Sequence, residues 1–379
     1  MHLVAVLGWL FVALAFAGTA YAVLTTWLTG RFGARQSDSG THFAPVTILK
    51  PLHGDEPSLE TNLETFFLQD YPAPFQIVFG VQDQNDAAIA VVEVLRARYP
   101  KIDAVLVCDT TRHGSNPKVS NLVNMENAVR HDILVLSDSD IAVEPDYLRN
   151  VAAALSPENV GAVTCVYTGW GAAGLVSRLS AMGVSYHFLP NVTTGLALQL
   201  ASPCFGSTIA IKRPLLNELG GFVAFAFRLA DDHAIGKAVR DKGYAVAIPP
   251  FAVRHAATET GLREWFSHEL RWMRTIRTVD PGGHVGSIVT HAFPIALLGV
   301  ILTGAAPLAV LILGATLLAR AMLKWHIDKV FARPAGPYWL LPLRDVVSFG
   351  VFLTSLFGGS VVWQNERLEV RSDGALSKR

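Results

Sequence analysis

The chain has 379 residues, 51% hydrophobic and only 16% charged, against roughly 25% charged in an ordinary soluble domain, so a simple water-soluble globule is a poor reading and a membrane protein the better one. Lysine plus arginine equals aspartate plus glutamate at 31 each, which removes the basic footprint that nucleic-acid binding requires, so no nucleic acid is expected as a partner. Three widely spaced cysteines, Cys108, Cys165 and Cys204, exclude a disulfide framework and a CxxC metal or redox site.

From Leu3 to Gly30 there is no charged side chain, and about 20 apolar residues suffice to span a bilayer as a helix. Residues 1–32 are therefore read as an N-terminal transmembrane helix. A cleaved signal peptide is the lesser reading, since Ala20-Tyr21-Ala22 resembles a cleavage site but no positive residue precedes the run. Arg31 and Arg35 follow at once, which places everything after them in the cytoplasm.

Residues 33–284 change in texture. Short apolar runs at Val46–Leu49, Gln76–Val81, Ala104–Cys108, Ile133–Leu136 and Ala162–Val166 alternate with helical patterns at Ser58–Leu68, Ala87–Arg98 and Val119–Val129. That alternation predicts an α/β domain with a mainly parallel sheet. In such sheets ligands bind at the carboxyl ends of the strands, and three acidic clusters fall near these places: Asp83, Asp138-Ser139-Asp140, and Asp231-Asp232 at the start of a helical pattern. Two carboxylates one residue apart after a strand point to the same side and suit a hard divalent cation, Mg²⁺ or Mn²⁺, with substrate phosphates completing its shell. Of the adjacent Asp231 and Asp232, about 100° apart on a helix, at most one is expected to face a site.

Residues 261–277 read as an amphipathic helix lying on the cytoplasmic membrane surface, with Leu262, Trp265, Phe266, Trp272, Met273 and Ile276 on one arc and arginines at its edge. His268, Arg271 and Trp272 form one neighbouring group at three- and four-residue spacing, while Glu269 projects into the apolar arc without an evident reason. The pattern Gly169-Trp170-Gly171-Ala172-Ala173-Gly174 matches the dinucleotide fingerprint, but no acid occurs between Gly174 and Glu218 to bind a ribose, which argues against a Rossmann site. Residues 285–379 are expected to form a C-terminal membrane region. The uncharged stretch Val285–Ala319 reads as a helical hairpin breaking near Gly304, and Val346–Trp363 as a third crossing or a re-entrant segment, for three or four spans in all. Arg320, Lys324, Lys329, Arg333 and Arg344 return the hairpin to the positive, cytoplasmic side.

Thr47-Ile48-Leu49-Lys50-Pro51-Leu52, Asn62-Leu63-Glu64-Thr65-Phe66-Phe67, Val81-Gln82-Asp83, Asn116-Pro117-Lys118, Asp138-Ser139-Asp140, Ala230-Asp231-Asp232 and Arg271-Trp272 occur in the order of the ceramide glucosyltransferase pattern. The chain thus resembles the family 2 and family 21 inverting glycosyltransferases, whose fold is GT-A. It is still more similar to the hopanoid biosynthesis-associated glycosyltransferases, through Cys204-Phe205-Gly206-Ser207-Thr208, the stretch His268 to Arg277 and Leu343-Arg344-Asp345. By that resemblance Asp83 and Lys118 belong to the UDP-sugar site, Asp83 at the uracil and ribose end. Asp138 and Asp140 hold the metal and diphosphate, and Asp232 is the general base. His268, Arg271 and Trp272 occupy the (Gln/Arg)-x-x-Arg-Trp motif at the donor, with His268 departing from the ceramide-type Gln or Arg.

The resemblance implies an integral membrane enzyme, expected in a bacterial inner membrane with its catalytic domain cytoplasmic. It would move a sugar, N-acetylglucosamine first, from a UDP donor to a hopanoid polyol such as bacteriohopanetetrol. UDP-glucose to ceramide is the alternative. A polysaccharide synthase would usually need more spans, and a non-catalytic scaffold would not need intact acids at every motif.

Overall fold

The computed structural model describes residues 2–36 and 43–358, and the short strands 360–363, 366–370 and 376–378. Helix α1 (His2–Gly33) is the first apolar run, about 48 Å long at 1.5 Å per residue and so longer than a hydrocarbon core. The chain then enters a sheet through β1 (Val46–Pro51), α2 (Leu59–Phe67), β2 (Phe75–Val81), α3 (Ala88–Arg98), β3 (Asp103–Cys108), α4 (Pro117–Met125) and β4 (Ile133–Leu136). Next come β5 (Ile141–Ala142), α5 (Tyr147–Leu155), β6 (Val160–Thr164), β7 (Val166–Gly171), α6 (Leu175–Gly183), a π-helical turn Val184–Phe188, and α7 (Leu189–Ala197). The sequence β8 (Ile209–Lys212), α8 (Arg213–Glu218), α9 (Asp231–Asp241), β9 (Ala245–Ala247) and β10 (Ala252–Ala257) closes the α/β part.

Strand order in the main sheet is β3-β2-β1-β4-β8-β6-β9. All neighbours run parallel except β8, which is antiparallel to both β4 and β6. Both faces are covered, which is why β1 is buried at every position and reads as a continuous apolar run rather than an alternating one. One face packs Phe66, Phe79, Val92 and Val151 under α2, α3 and α5. The other packs Val78, Leu122, Ile209 and Ile235 under α4 and α9.

The run Ala162–Val166, expected as one strand, is divided between two sheets. β6 ends at Thr164 in the main sheet and β7 starts at Val166 in a three-stranded sheet of order β5-β10-β7. Side chains replace the ladder at the crossing: the Ser207 hydroxyl donates to the Cys165 carbonyl at 2.8 Å and the Phe205 amide to Thr164 Oγ1 at 2.8 Å. This small sheet carries β10 across the carboxyl end of β4, where Ala256 N donates to the Asp140 carbonyl at 2.8 Å.

The helices α10 (Leu262–Val279), α11 (Pro281–Gly286), α12 (Ala292–Leu302), α13 (Pro307–Phe331) and α14 (Leu341–Ser355) complete the described chain, with three short strands after them. Among the described residues three segments are long and apolar enough to cross a membrane: His2–Gly33, Pro281–Leu302 and Pro307–Phe331. The hairpin breaks where Gly304 and Ala305 take positive φ of 63° and 59°, and Pro307 then opens α13 at a first-turn position that needs no amide donor. α1 lies close to the following span: a Cβ on Gly18 would sit 2.5 Å from the Val289 carbonyl oxygen, so only glycine fits this crossing. Of the third apolar run, Val346 to Ser355 forms the latter part of α14, too short a helix to span, and Gly359 falls outside the described residues.

Polar groups tie α14 to the α/β part. Glu269 Oε1 on α10 accepts from Arg344 Nη2 at 2.7 Å and from Trp265 Nε1 at 2.7 Å, and Arg344 stacks over the Trp265 ring. An acid in an apolar arc is thereby the partner of a buried arginine 75 residues later. Asp345 binds Arg320 through both oxygens, at 2.6 and 2.8 Å, and Arg320 Nη1 donates to the Tyr186 carbonyl in the π-helical turn at 2.9 Å. The apolar arc of α10 is split in the fold. Trp265 is buried and Trp272 turns toward the α/β part, whereas Leu262, Phe266 and Ile276 stay exposed.

Candidate active site

A cavity of about 780 Å³ lies at the carboxyl ends of β1, β2 and β4 and is closed on the far side by α9, β10 and α10. Asp83, Lys118, Asp138, Asp140, Asp232, His268, Arg271 and Trp272 all line it, although 189 residues separate the first from the last. Its size is in the range of small-molecule sites.

The strand ends place the acids. After β4 the Ser137 amide makes one last ladder bond to the Leu49 carbonyl at 3.1 Å, and a turn follows in which Ile141 N donates to the Asp138 carbonyl. Asp138 and Asp140 therefore project beyond the sheet. After β2, Asp83 is exposed and its Oδ1 accepts from the Asn85 amide at 2.9 Å, an Asx-turn that leaves Oδ2 for the cavity rim. The helix-capping work of that cluster is done by the buried Asp86, which accepts from the Ala88 and Gly54 amides.

Asn116-Pro117-Lys118 has a local logic. Asn116 caps α4 by accepting from Val119 N at 3.1 Å, and Pro117 stands in the first turn, where no amide donor is needed. Lys118 is thereby aimed from the helix N-terminus at Asp138 Oδ1, 2.6 Å away, and at Asp231 Oδ2, 3.5 Å away. Burial works against its charge, but Asp138, Asp231 and Asp232 outweigh it and hold Lys118 as an ammonium above its ordinary range. Gly206 lies under this pair. A Cβ there would sit 2.6 Å from Asp138 Oδ2 and 2.8 Å from Lys118 Nζ, so any larger residue would push this ion pair out of place.

Both members of Asp231-Asp232 line the cavity, against the expectation that only one would. Asp231 is 6% exposed and is held by Lys118 and by Asn116 Nδ2 at 3.3 Å. Asp232 accepts from the Gly206 amide at 3.0 Å through Oδ2 and from the His233 amide at 2.7 Å through Oδ1. Burial and the neighbouring Asp231 push the Asp232 carboxyl up to about 6.

Sequence reasoning assigned no role to Lys50, Glu56, His255 or Glu259; the fold puts Glu56 and His255 in the cavity wall and Lys50 and Glu259 behind it, against Asp138 and His268. Lys50 ends a buried strand, is itself fully buried, and donates to the Asp138 carbonyl; burial lowers it to about 7 against the pull of Asp138 and Asp140. A lysine inside an apolar strand was the available signal. Glu56 accepts from Ser139 Oγ at 2.9 Å, and burial with Asp140 nearby raises it to about 7. His255 Nε2 stands 3.1 Å from Asp140 Oδ2. Burial alone would raise Asp140, but the charge and hydrogen bond of His255 outweigh it and hold the carboxyl below its usual range. On α10, the Trp272 ring meets His268 edge-on at 4.6 Å and His255 at 5.7 Å.

Cation binding can be tested against the donor set. Asp140 Oδ1 is buried without a hydrogen-bond partner, an acceptor left over for a positive charge. Among the described residues no three His, Cys, Asp or Glu side chains form a complete ligand cluster. A cation at Asp138 and Asp140 would thus take its other ligands from phosphate oxygens and water, as Mg²⁺ and Mn²⁺ commonly do.

A mainly parallel sheet covered on both faces, with an acid-lined cleft at its strand ends, is the GT-A arrangement of nucleotide-sugar glycosyltransferases. The structure of a mannosyltransferase from Pyrobaculum calidifontis, in complex with GDP-mannose and Mn²⁺, has the same fold, with a TM-score of 0.53 and 21% identity over 93% of this chain and 99% of that one. The chain belongs to glycosyl transferase family 21, whose model matches residues 10–376. Relatives include ceramide glucosyltransferase 1 of Caenorhabditis elegans, 30% identical over 60% of this chain and 49% of its own length. The ceramide glucosyltransferase of Candida albicans is 33% identical over 32% of this chain and 24% of its own length. The chain thus spans half or less of the length of these relatives.

Proposed function

We propose that the chain is an inverting glycosyltransferase that moves a sugar from a UDP donor to a hydroxyl of a membrane lipid at the cytoplasmic face of a bacterial inner membrane. The observation that carries this reading is the convergence of Asp83, Asp138, Asp140 and Asp232 on one cavity whose lining continues along α10 through Ile276 and Val279 to Asp280. Asp280 immediately precedes the apolar segment Pro281–Leu302, so acid chemistry and a lipid-compatible wall share one opening. A lipid acceptor can then stay at the interface while its headgroup enters.

Asp83 binds the uracil and ribose end of the donor, and Lys118, His268 and Arg271 face its diphosphate, Arg271 with a fork of donors suited to two phosphate oxygens. Asp232 takes the proton from the attacking hydroxyl, and Trp272 offers an apolar face with a polar edge beside the sugar. A divalent cation held by Asp138 and Asp140 would neutralise charge on the departing diphosphate. Chelation with EDTA is expected to lower turnover of the purified full-length protein at least 100-fold, and added Mn²⁺ or Mg²⁺ to restore it; full activity in chelator would refute the metal assignment.

The finer reading is N-acetylglucosamine onto a hopanoid polyol. It rests on the resemblance that runs from the N-terminal span to Leu343-Arg344-Asp345 and on His268 in place of Gln or Arg. A second reading, UDP-glucose onto ceramide, is favoured by the curated relatives. Membranes containing the protein, offered UDP-glucose or UDP-N-acetylglucosamine with each lipid, should yield a glycosylated hopanoid by mass. A glucosylceramide product would replace the first reading by the second, and a product with neither lipid would remove both.

A further inference from the structure

Glu259 lies two residues beyond β10 and is 3% exposed. Its Oε1 is 2.5 Å from His268 Nδ1 and accepts from Ser180 Oγ at 3.3 Å, while Oε2 is buried without a partner. Among the described residues its one ion-pair partner is His268. A carboxylate this buried is costly unless paired, so the imidazole N–H at Nδ1 is committed to it. The Trp272 ring packs edge-on against the same imidazole. Nδ1 is engaged, and Nε2, which makes no hydrogen bond among the described residues, is the nitrogen left for the cavity that His268 lines. His268 lines the same cavity as Asp138 and Asp140, the pair assigned to the phosphate side of the cleft.

We propose that Glu259 is a positioning residue for donor binding, holding the His268 imidazole with Nδ1–H toward itself and Nε2 toward the diphosphate of the nucleotide. The inference rests on the UDP-donor reading and adds to it a carboxylate–histidine pair that replaces the glutamine or arginine of the ceramide-type motif. A long glutamine or arginine needs no such support. A short imidazole with two distinct nitrogens does, because a partner on one nitrogen sets what the other can do. The pairing also gives Glu259 a reason to be buried at the end of β10, facing α10.

The test is a double-mutant cycle on the purified full-length protein, reading UDP affinity by calorimetry in the presence of Mn²⁺, and kcat and donor KM by turnover. Glu259→Gln and His268→Ala should each weaken UDP binding or turnover about 10- to 100-fold, the range for loss of a charge-assisted contact or of the group that orients it. Acceptor KM should not move. In the His268→Ala background, Glu259→Gln should cost less than about twofold more, because its route of action is already gone. A purely structural role would instead give equal losses in both backgrounds and a matching fall in melting temperature, and that result overturns the assignment. Ser180→Ala removes the other hydrogen bond to Glu259 while leaving His268 in place, and should change UDP affinity less than about threefold; a loss as large as that of Glu259→Gln also overturns it. Failure of the wild-type chain to bind UDP at all would overturn the donor reading together with this one, whereas UDP binding with additive variants overturns the positioning role alone.

Discussion

Asp232→Asn is expected to lower kcat by about 10²- to 10⁴-fold, the contribution of a positioned general base, while UDP affinity changes by no more than a few-fold. The two carboxylate oxygens accept separately from the Gly206 and His233 amides, so the single oxygen of asparagine keeps one of these bonds and gives up the other, while the side-chain shape is kept and the proton acceptor is removed. Both backbone donors leave lone pairs free on Asp232, and its surroundings tune it: burial and Asp231 raise the carboxyl to about 6. A base acts when ionised, so activity should be full above that value and fall as pH drops through about 6. The acid limb of kcat/KM in the wild-type enzyme reads this group directly. Wild-type turnover in purified Asp232→Asn, or an acid limb that the substitution leaves unchanged, would move the base elsewhere in the cleft.

Asp345→Asn is expected to destabilise the fold by roughly 3–5 kcal/mol, the cost of leaving one member of a buried ion pair without its partner. Arg320 and Asp345 are each 7% exposed and bind through two parallel hydrogen bonds. An asparagine keeps the shape but leaves the arginine charge uncompensated beside α14. The apolar double variant Arg320→Met with Asp345→Leu should recover much of the loss, because a buried pair replaced as a unit often costs little. Thermal unfolding of the detergent-solubilised protein measures both. An unchanged melting temperature in Asp345→Asn would show that the pair is not a stabilising lock between α13 and α14. The Leu343-Arg344-Asp345 motif carries two such contacts in succession, Arg344 to Glu269 on α10 and Asp345 to Arg320 on α13, so the last helix fastens to both the catalytic part and the apolar hairpin.

The residues that read well from sequence are those whose chemistry and backbone position are set within a few residues. An apolar strand followed at once by Asp-Ser-Asp places two carboxylates at a strand end whatever the rest of the chain does, and Gly304 before Pro307 breaks a helix in any context. The strands at 46–51, 75–81, 103–108 and 133–136 were legible for the same reason: runs of β-branched and aromatic residues bounded by turns. The division of 160–171 between two sheets was not. It depends on hydrogen bonds from Phe205 and Ser207, about 40 residues distant, which no local pattern records.

The same division runs through the site. By itself the sequence determined which acids and bases were available, that they follow strands or open helices, and that apolar helices flank them, because periodicity and residue type are local properties. Only the tertiary structure decided which charges are paired: Lys118 with both Asp138 and Asp231, His255 with Asp140, Glu259 with His268, and Glu269 with Arg344. The reason is electrostatic. A lone carboxylate is equally plausible on a solvated loop, and it gains its partner, its burial and its shifted affinity for protons only when elements far apart in the chain exclude water around it together.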